Sequence, residues 1–431
     1  MQSSHALDRT EITFDDDHAV ANAGLLLTAT LATRLGLESL VDDMVDLGER
    51  AGAARPGRKV MTLLQSMVAG GDCIDDADVL RSGATGQVLP HRVMAPSTLG
   101  TFLRSFTFGH VRQLDRVAEA ALTRAWAAGA SPGDAPVTVD LDSTVCEVHG
   151  YHKQGAAYGY TRALGLHPLL ATRADTGEVL HVRQRKGSAN TARGAVRFTG
   201  EVVARVRRAG ATGALTLRAD SGFWSERLIG TCKRLSVAFS ITVRQIPQVK
   251  AVIAAIAEQD WTPIDYTDGG VAQIGETTYK GDRLIVRRTR LIGPQAQLWP
   301  DWRHHAFVTD RTGEAEELDA DHRRHAVIEL AIRDLKEGAG LNHCPSGRFF
   351  ANAAWLVLAA LAHNLVRWTC SLGIGIDGPV VAKTVRRRYI AVGGRLTRSA
   401  RRLRLRLPRG WPWAEGFARA LTRLRALPLP P

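Results

Sequence analysis

Two short strand-like runs in this chain each end in an aspartate, and this pattern restricts the fold more than any other feature. Val137-Thr138-Val139-Asp140-Leu141-Asp142 alternates apolar and polar residues before Ser143-Thr144. Leu215-Thr216-Leu217-Arg218-Ala219-Asp220 does the same and leads into Ser221-Gly222-Phe223. Alternation of period two marks strands with one face turned to a core. A third carboxylate, Glu329, lies in residues 322–336, a stretch of helical periodicity. Two strand-end carboxylates and one helix carboxylate can converge at the edge of a sheet, where hard oxygen ligands suit Mg²⁺. Two such ions, about 3.5–4 Å apart, activate a nucleophile and stabilise the leaving oxygen of an in-line displacement. Asp142, Asp220 and Glu329 are thus the candidate catalytic and metal-binding residues, with two Mg²⁺ expected and Mn²⁺ as a substitute.

A chain of 431 residues is long enough for two or three domains with a core of their own. Its 45% hydrophobic and 23% charged content is that of a folded soluble protein and excludes a disordered one. Five cysteines without close spacing point to a reducing compartment, and away from a disulfide frame or a zinc site. His322, His325 and Glu329 have a spacing that allows a transition metal, but no further ligand lies near. Residues 1–17 are acidic and polar, unlike a signal peptide. The most apolar stretch, 349–372, contains Asn352, His363, Asn364 and Arg367, and so reads as a buried core helix rather than a membrane span. A cytoplasmic, nucleoid-associated protein is expected.

The net charge of +13 is concentrated at one end. From Lys383 onward there are 14 Lys and Arg against the single acid Glu415, so the preceding chain is formally neutral. A polyanion is the natural partner of such a tail, the alternative being plain solvated surface. Arg402-Leu403-Arg404-Leu405-Arg406-Leu407 alternates as a strand with one cationic face would. Arg402, Arg404 and Arg406, followed by Trp411 and Trp413, suit backbone phosphates with some base stacking.

The order of elements predicts an α/β fold. Residues 1–130 read as a helical N-terminal domain for DNA binding or packing, in which the helix over 97–106 is a weak candidate for a recognition helix. Strands at 137–141, 166–172 and 179–184, a helix at 198–208, a strand at 215–219, a helix at 225–235 and a strand at 238–243 follow. That order matches an RNase H-like catalytic core, placed at 131–244 and 321–372. A β-rich insertion subdomain occupies 245–320, and a basic C-terminal region runs over 373–431.

The chain resembles bacterial insertion-sequence DDE transposases, specifically the insertion-sequence-1380 group. The resemblance rests on Asp140-Leu141-Asp142-Ser143-Thr144, Gln154-Gly155-Ala156, Gly159-Tyr160 and His167-Pro168-Leu169-Leu170. It continues through Glu178-Val179-Leu180, Arg218-Ala219-Asp220-Ser221-Gly222-Phe223, and Glu329 with Lys336. It implies DNA cleavage at transposon ends and transfer of the 3′-OH strand to target DNA. The implied partners are the terminal inverted repeats and target duplex, met by a homodimer, with no membrane. The family's Asp-x-Thr pattern favours Asp142 over Asp140.

In the wider superfamily the last helix carries a Tyr-Arg-Glu-Lys signature that holds phosphates near the element end. Glu329 and Lys336 keep its last spacing, whereas His322 and His325 stand at the Tyr and Arg positions. Arg324 is an alternative phosphate ligand if the helix register differs. Trp299 and Trp302, near the end of the insertion, are read equally as core residues or as a stacking platform for a base. Lys153, Arg185 and Lys186 are further phosphate candidates. Two alternatives stay open: a metal-dependent nuclease without strand transfer, and a decayed relic that binds DNA without cutting it.

Overall fold

Helix-forming sequence comes first and strand-forming sequence afterwards. A short strand, β1 (Ala19–Val20), precedes the helices α1 (Leu25–Arg34), α2 (Leu37–Met44), α3 (Pro56–Ala69), α4 (Pro96–Arg104) and α5 (Phe108–Ala125). The computed structural model describes residues 10–150, 152–159, 161–267, 269–292, 302–400 and 402–429. Leucines at helical spacing run on past α1, but the chain breaks at Gly36, whose φ of 60° is left-handed and favours glycine. The stretch weighed as a recognition helix, α4, buries Leu99, Phe102 and Leu103 in the core.

The central part supplies β2 (Val137–Ser143), β3 (Cys146–Glu147), β4 (Ala157–Tyr158), β5 (Leu164–Leu166), β6 (Leu169–Arg173) and β7 (Val179–Arg183). After these come α6 (Ala195–Arg208), β8 (Leu215–Ala219), α7 (Glu226–Arg234), β9 (Ala238–Thr242) and α8 (Pro247–Ala254). The strand expected over 166–172 is divided at His167-Pro168, because proline offers no N–H to a ladder. Ser225 caps α7 by accepting the Leu228 N–H.

Next are β10 (Thr262–Ile264), β11 (Gly270–Tyr279), β12 (Asp282–Leu291) and β13 (Arg303–Thr309). One mixed sheet has the order β10-β11-β12-β13-β9-β8-β2-β6-β7. The strands of the expected insertion therefore continue the central sheet. They join it where Phe307, Val308 and Thr309 pair antiparallel with Thr242, Ile241 and Ser240. This pairing satisfies the edge that β9 would otherwise expose.

The chain then forms α9 (Ala315–Arg323), a 3₁₀ turn (Arg324–Ala326), α10 (Val327–Gly338) and α11 (Phe349–Trp368). The continuous helix expected over 322–336 is broken at that turn. Last come α12 (Ala382–Val385), β14 (Gly394–Ser399), β15 (Arg402–Arg406) and α13 (Ala414–Ala426). β14 pairs with both β1 and β15 in a small separate sheet.

The apolar helix α11 lies inside the protein: 89% of its most apolar window is buried. Its polar residues all have partners there. Asn364 Oδ1 accepts the Val179 N–H at 2.8 Å, and Asn364 Nδ2 donates to the Val179 carbonyl at 2.8 Å. Arg367 Nη1 donates to Asp334 at 3.0 Å, and His363 Nε2 lies 3.0 Å from the Gly177 carbonyl. Burying these groups is tolerable because each is hydrogen-bonded.

Candidate active site

The parallel register of β2 and β8 sets the site. Asp140 stands beside Arg218 and Leu141 beside Ala219. Asp142 and Asp220 follow as neighbours one step beyond the last pair, at the C-terminal ends of both strands. β9 adds a third column, with Ser240 beside Arg218. Side chains on a strand alternate between faces, so Asp140, Arg218 and Ser240 form one layer. Asp142, Asp220 and Thr242 form the next layer out on the same face.

Glu329 reaches this outer layer from the first turn of α10, where the helix dipole favours an acid. Burial pushes the Asp142 carboxyl up to about 6; the Ser143 N–H and His325 draw it down, and the charges of Asp220 and Glu329 raise it further. The three carboxylates thus share one electrostatic neighbourhood. Ser143 N donates to Asp142 Oδ1 at 2.6 Å and Gly222 N to Asp220 Oδ1 at 2.9 Å. Among the described residues, neither the second oxygen of each aspartate nor the Glu329 carboxylate has a hydrogen bond or ion pair. Gly222 permits the tight turn after Asp220: a Cβ there would lie 2.8 Å from the Thr191 methyl and 3.1 Å from Asp220 Oδ1.

The triad is open rather than clenched. Among the described residues, the only three ligand-type side chains whose atoms all lie within 4.8 Å of one another are Asp72, Cys73 and Asp76. Metal–oxygen bonds of about 2.1 Å around ions about 3.5–4 Å apart put the outermost ligand atoms up to roughly 8 Å apart. No Lys or Arg is paired to the three carboxylates among the described residues, which leaves their oxygens open to cations from outside the chain.

The layer beneath contains a pairing that the sequence reading missed. Arg218 Nε donates to Asp140 Oδ1 at 2.6 Å and Nη2 to Oδ2 at 2.9 Å, a two-pronged buried pair. Asp140 is 0% and Arg218 1% exposed. Arg218 also donates to the Asp321 carbonyl, which ties the end of α9 to the sheet. His325 Nδ1 lies 2.9 Å from Asp140 Oδ1. Asp140 is therefore fully engaged, while Asp142 on the same face keeps an open oxygen. A signal was available: Asp140 and Arg218 each precede a strand-end aspartate by two residues, so a parallel pairing of those ends places them together.

The structure turns the His322 ring inward, against β9. Its Nδ1 lies 2.7 Å from Ser240 Oγ and its Nε2 2.9 Å from Thr242 Oγ1. The ring stacks on Phe307 with centroids 4.1 Å apart. Burial, with His325 and Arg218 nearby, lowers its pKa to about 3, so the ring is neutral and has no nitrogen left for phosphate. The same contacts leave no lone pair for a transition metal. The helix breaks at Arg324–Ala326 as His322 turns to β9 and His325 to β2.

Other candidates are placed as follows. Lys336 Nζ donates to the Val145 carbonyl at 2.8 Å and so braces the chain leaving β2. Arg324 is exposed with no partner among the described residues. Trp302 has the Arg288 and Arg290 guanidiniums 4.5 and 4.7 Å from its ring, so it is engaged within its own sheet. Trp299 lies outside the described residues. Arg402, Arg404 and Arg406 are all exposed. Arg185 is not free for phosphate: it donates to the carbonyls of His167, Asn190, Thr191 and Arg193. Lys153 likewise donates to the Cys344 carbonyl.

Comparison with known proteins gives one family match, described as "Transposase DDE domain group 1", over residues 3–429. No curated protein matches the chain. Among solved structures, the chain is similar to a cryo-EM structure of the piggyBac transposase synaptic complex with hairpin DNA. That similarity has a TM-score of 0.46 at 12% identity, covering 86% of this chain and 80% of that one. A family match that takes in all but the outermost residues, both strand-end aspartates and the helix glutamate included, means that the chain belongs to the group 1 family of DDE transposase domains.

Proposed function

We propose that this transposase cuts DNA at the ends of its element and joins the freed 3′-OH to target DNA, using Asp142, Asp220 and Glu329. The observation that carries the proposal is the meeting of three carboxylates without a cationic partner at two parallel strand ends and a helix start. Their charge calls for cations from outside the chain, and oxygen donors of this kind suit Mg²⁺, with Mn²⁺ as a substitute. Asp142, Asp220 and Glu329 would hold two such ions. When bound, the ions supply nucleophile activation and stabilisation of the leaving oxygen.

The chain's own residues do the positioning. The Ser143 and Gly222 N–H groups fix one oxygen of each aspartate and leave the other facing outward. The buried Asp140–Arg218 pair holds the two strands in register beneath them. His325 links that pair to the turn from which α10, and with it Glu329, departs. The strand and helix order around the site supports an RNase H-like core, and the motifs around Asp142, Asp220 and Glu329 support one of the insertion-sequence-1380 kind. Two element ends must be held at once, which favours a homodimer on duplex DNA.

The test is Mg²⁺-dependent cleavage of a duplex carrying the element's own terminal repeat, wild type beside Asp220→Ala. Nicking at the repeat end that is absent from the variant, followed by joining to a target plasmid, is the expected result. Cutting without joining would make the chain a nuclease. Firm binding without cutting would make it a DNA-binding relic.

A further inference from the structure

The alternating arginines of the tail line one face of a sheet; the opposite face is apolar next to β1 and carries Arg398 opposite the exposed Leu403 at its far end. β14 and β15 pair with Arg395 opposite Arg406, Leu396 opposite Leu405, Thr397 opposite Arg404 and Ser399 opposite Arg402. Leu396 is 6% exposed and packs with Val20, Val392, Leu405 and Trp411 in a small core of its own. That anchors the inner face and turns the whole set Arg395, Thr397, Ser399, Arg402, Arg404 and Arg406 outward. Arg395 has Asp16 at 3.7 Å. Arg402, Arg404 and Arg406 have no carboxylate partner among the described residues.

Such a face works against its own stability. Like charges directly opposite each other in a sheet repel, and Arg395 faces Arg406 across the ladder. The face contains four cations and two hydroxyls, against the one carboxylate of Asp16 beside Arg395 among the described residues, so it keeps an excess of positive charge and guanidinium donors to spare. Residues advance about 3.4 Å along an antiparallel strand, so alternate arginines recur about every 6.8 Å. Phosphates on one strand of duplex DNA advance about 3.4 Å along the axis while winding around it, so a ladder of this spacing suits the winding backbone rather than a line along the axis.

We infer that the outer face of the β1–β14–β15 sheet is a phosphate-binding rail for duplex DNA. It grips the backbone whatever the base sequence, and Ser399 adds a hydroxyl donor to the four arginines. It thus serves DNA of any sequence, target or flank, rather than recognising the terminal repeat. This inference rests on the reading of the chain as a transposase acting on duplex DNA.

The test uses the full chain and two labelled duplexes of equal length, one A·T-rich and one G·C-rich, titrated over a KCl series. Each phosphate contact contributes about 0.9 to the slope of log affinity against log salt. Changing Arg402, Arg404 and Arg406 together to Ala should reduce that slope by about 2.7 on both duplexes. The triple Lys variant should keep it, because the charge remains. An unchanged slope in the Ala variant overturns the inference, as does a loss confined to one duplex, which would mean base reading. Loss in the Lys variant as well overturns it too, by showing a merely structural role. Cleavage is scored separately. A wild-type chain that binds with the expected slope but never cuts its element end removes the catalytic proposal and leaves the rail standing.

Discussion

His325 Nδ1 lies 2.9 Å from Asp140 Oδ1, joining the turn before α10 to the buried middle of β2. Both oxygens of Asp140 are already held by Arg218, so the two aspartates of β2 have opposite tasks. Asp140→Asn strands a buried guanidinium, and breaking such a pair costs roughly 3–5 kcal/mol. We expect a lower midpoint in thermal denaturation for Asp140→Asn, and a normal or raised one with no cleavage for Asp142→Asn. Equal destabilisation by both would remove the distinction.

Asp142 is raised above an ordinary carboxyl by burial first, then by Asp220 and Glu329. The sign follows from linkage. The folded chain holds this proton more tightly than the unfolded one, so stability falls as pH rises from the unfolded value of 3.8 to about 6. Without divalent ions, Asp142→Asn should therefore be stabilising at pH 7.5, on the order of 2–3 kcal/mol at most. The gain should vanish below pH 4. Urea melts at the two pH values would show it.

Mg²⁺ binding requires the same carboxylate deprotonated. Calorimetric titration should show affinity falling as pH drops through about 6, with the heat of binding absent in Asp142→Asn. Affinity that is flat from pH 7.5 to pH 5 would count against Asp142 as a ligand.

His322 bridges Ser240 and Thr242, whereas Arg324 two residues on is exposed. His322→Phe should cost roughly 1–3 kcal/mol by orphaning the two hydroxyls, and leave the salt dependence of DNA binding as it is. Arg324→Ala should do the reverse, lowering the salt slope by about 1 if it meets one phosphate. Reversed outcomes would restore His322 as a DNA ligand.

Asn364 satisfies both backbone groups of Val179 on the edge strand β7. Asn364→Ala leaves a buried N–H and a buried carbonyl without partners, which should cost roughly 2–4 kcal/mol. Hydrogen exchange at Val179 should quicken selectively. An unaltered rate would mean that another group takes over.

Much of this architecture was legible because local signals and tertiary demands agreed. The alternation in 137–142 and 215–220, the helical stretch from residue 225 and the arginine ladder each mark an element at its right place. What stayed hidden depends on contacts between distant segments. Nothing near His322 announces that its ring will be received by β9, because Ser240 and Thr242 lie some 80 residues earlier. Helical periodicity likewise runs unbroken through 322–336, and only the separate pulls of β9 and β2 on His322 and His325 break the helix. The continuity of β13 with β9 was equally unreadable, since strand patterns give no hint of which sheet they will join.

The small sheet joins the chain's beginning to its end: Val20 of β1 pairs with Gly394 of β14. α1 also contacts α13. Neither pairing can exist while the ribosome is still making the middle of the protein. The first helix can pack early against α2 and α3, but it and β1 meet these C-terminal partners only after more than 350 further residues of synthesis. The arginine ladder reaches its folded form only after β14 and β15 have been made, so a chain cut short before residue 394 would lack the cationic sheet and leave β1 without its strand partner.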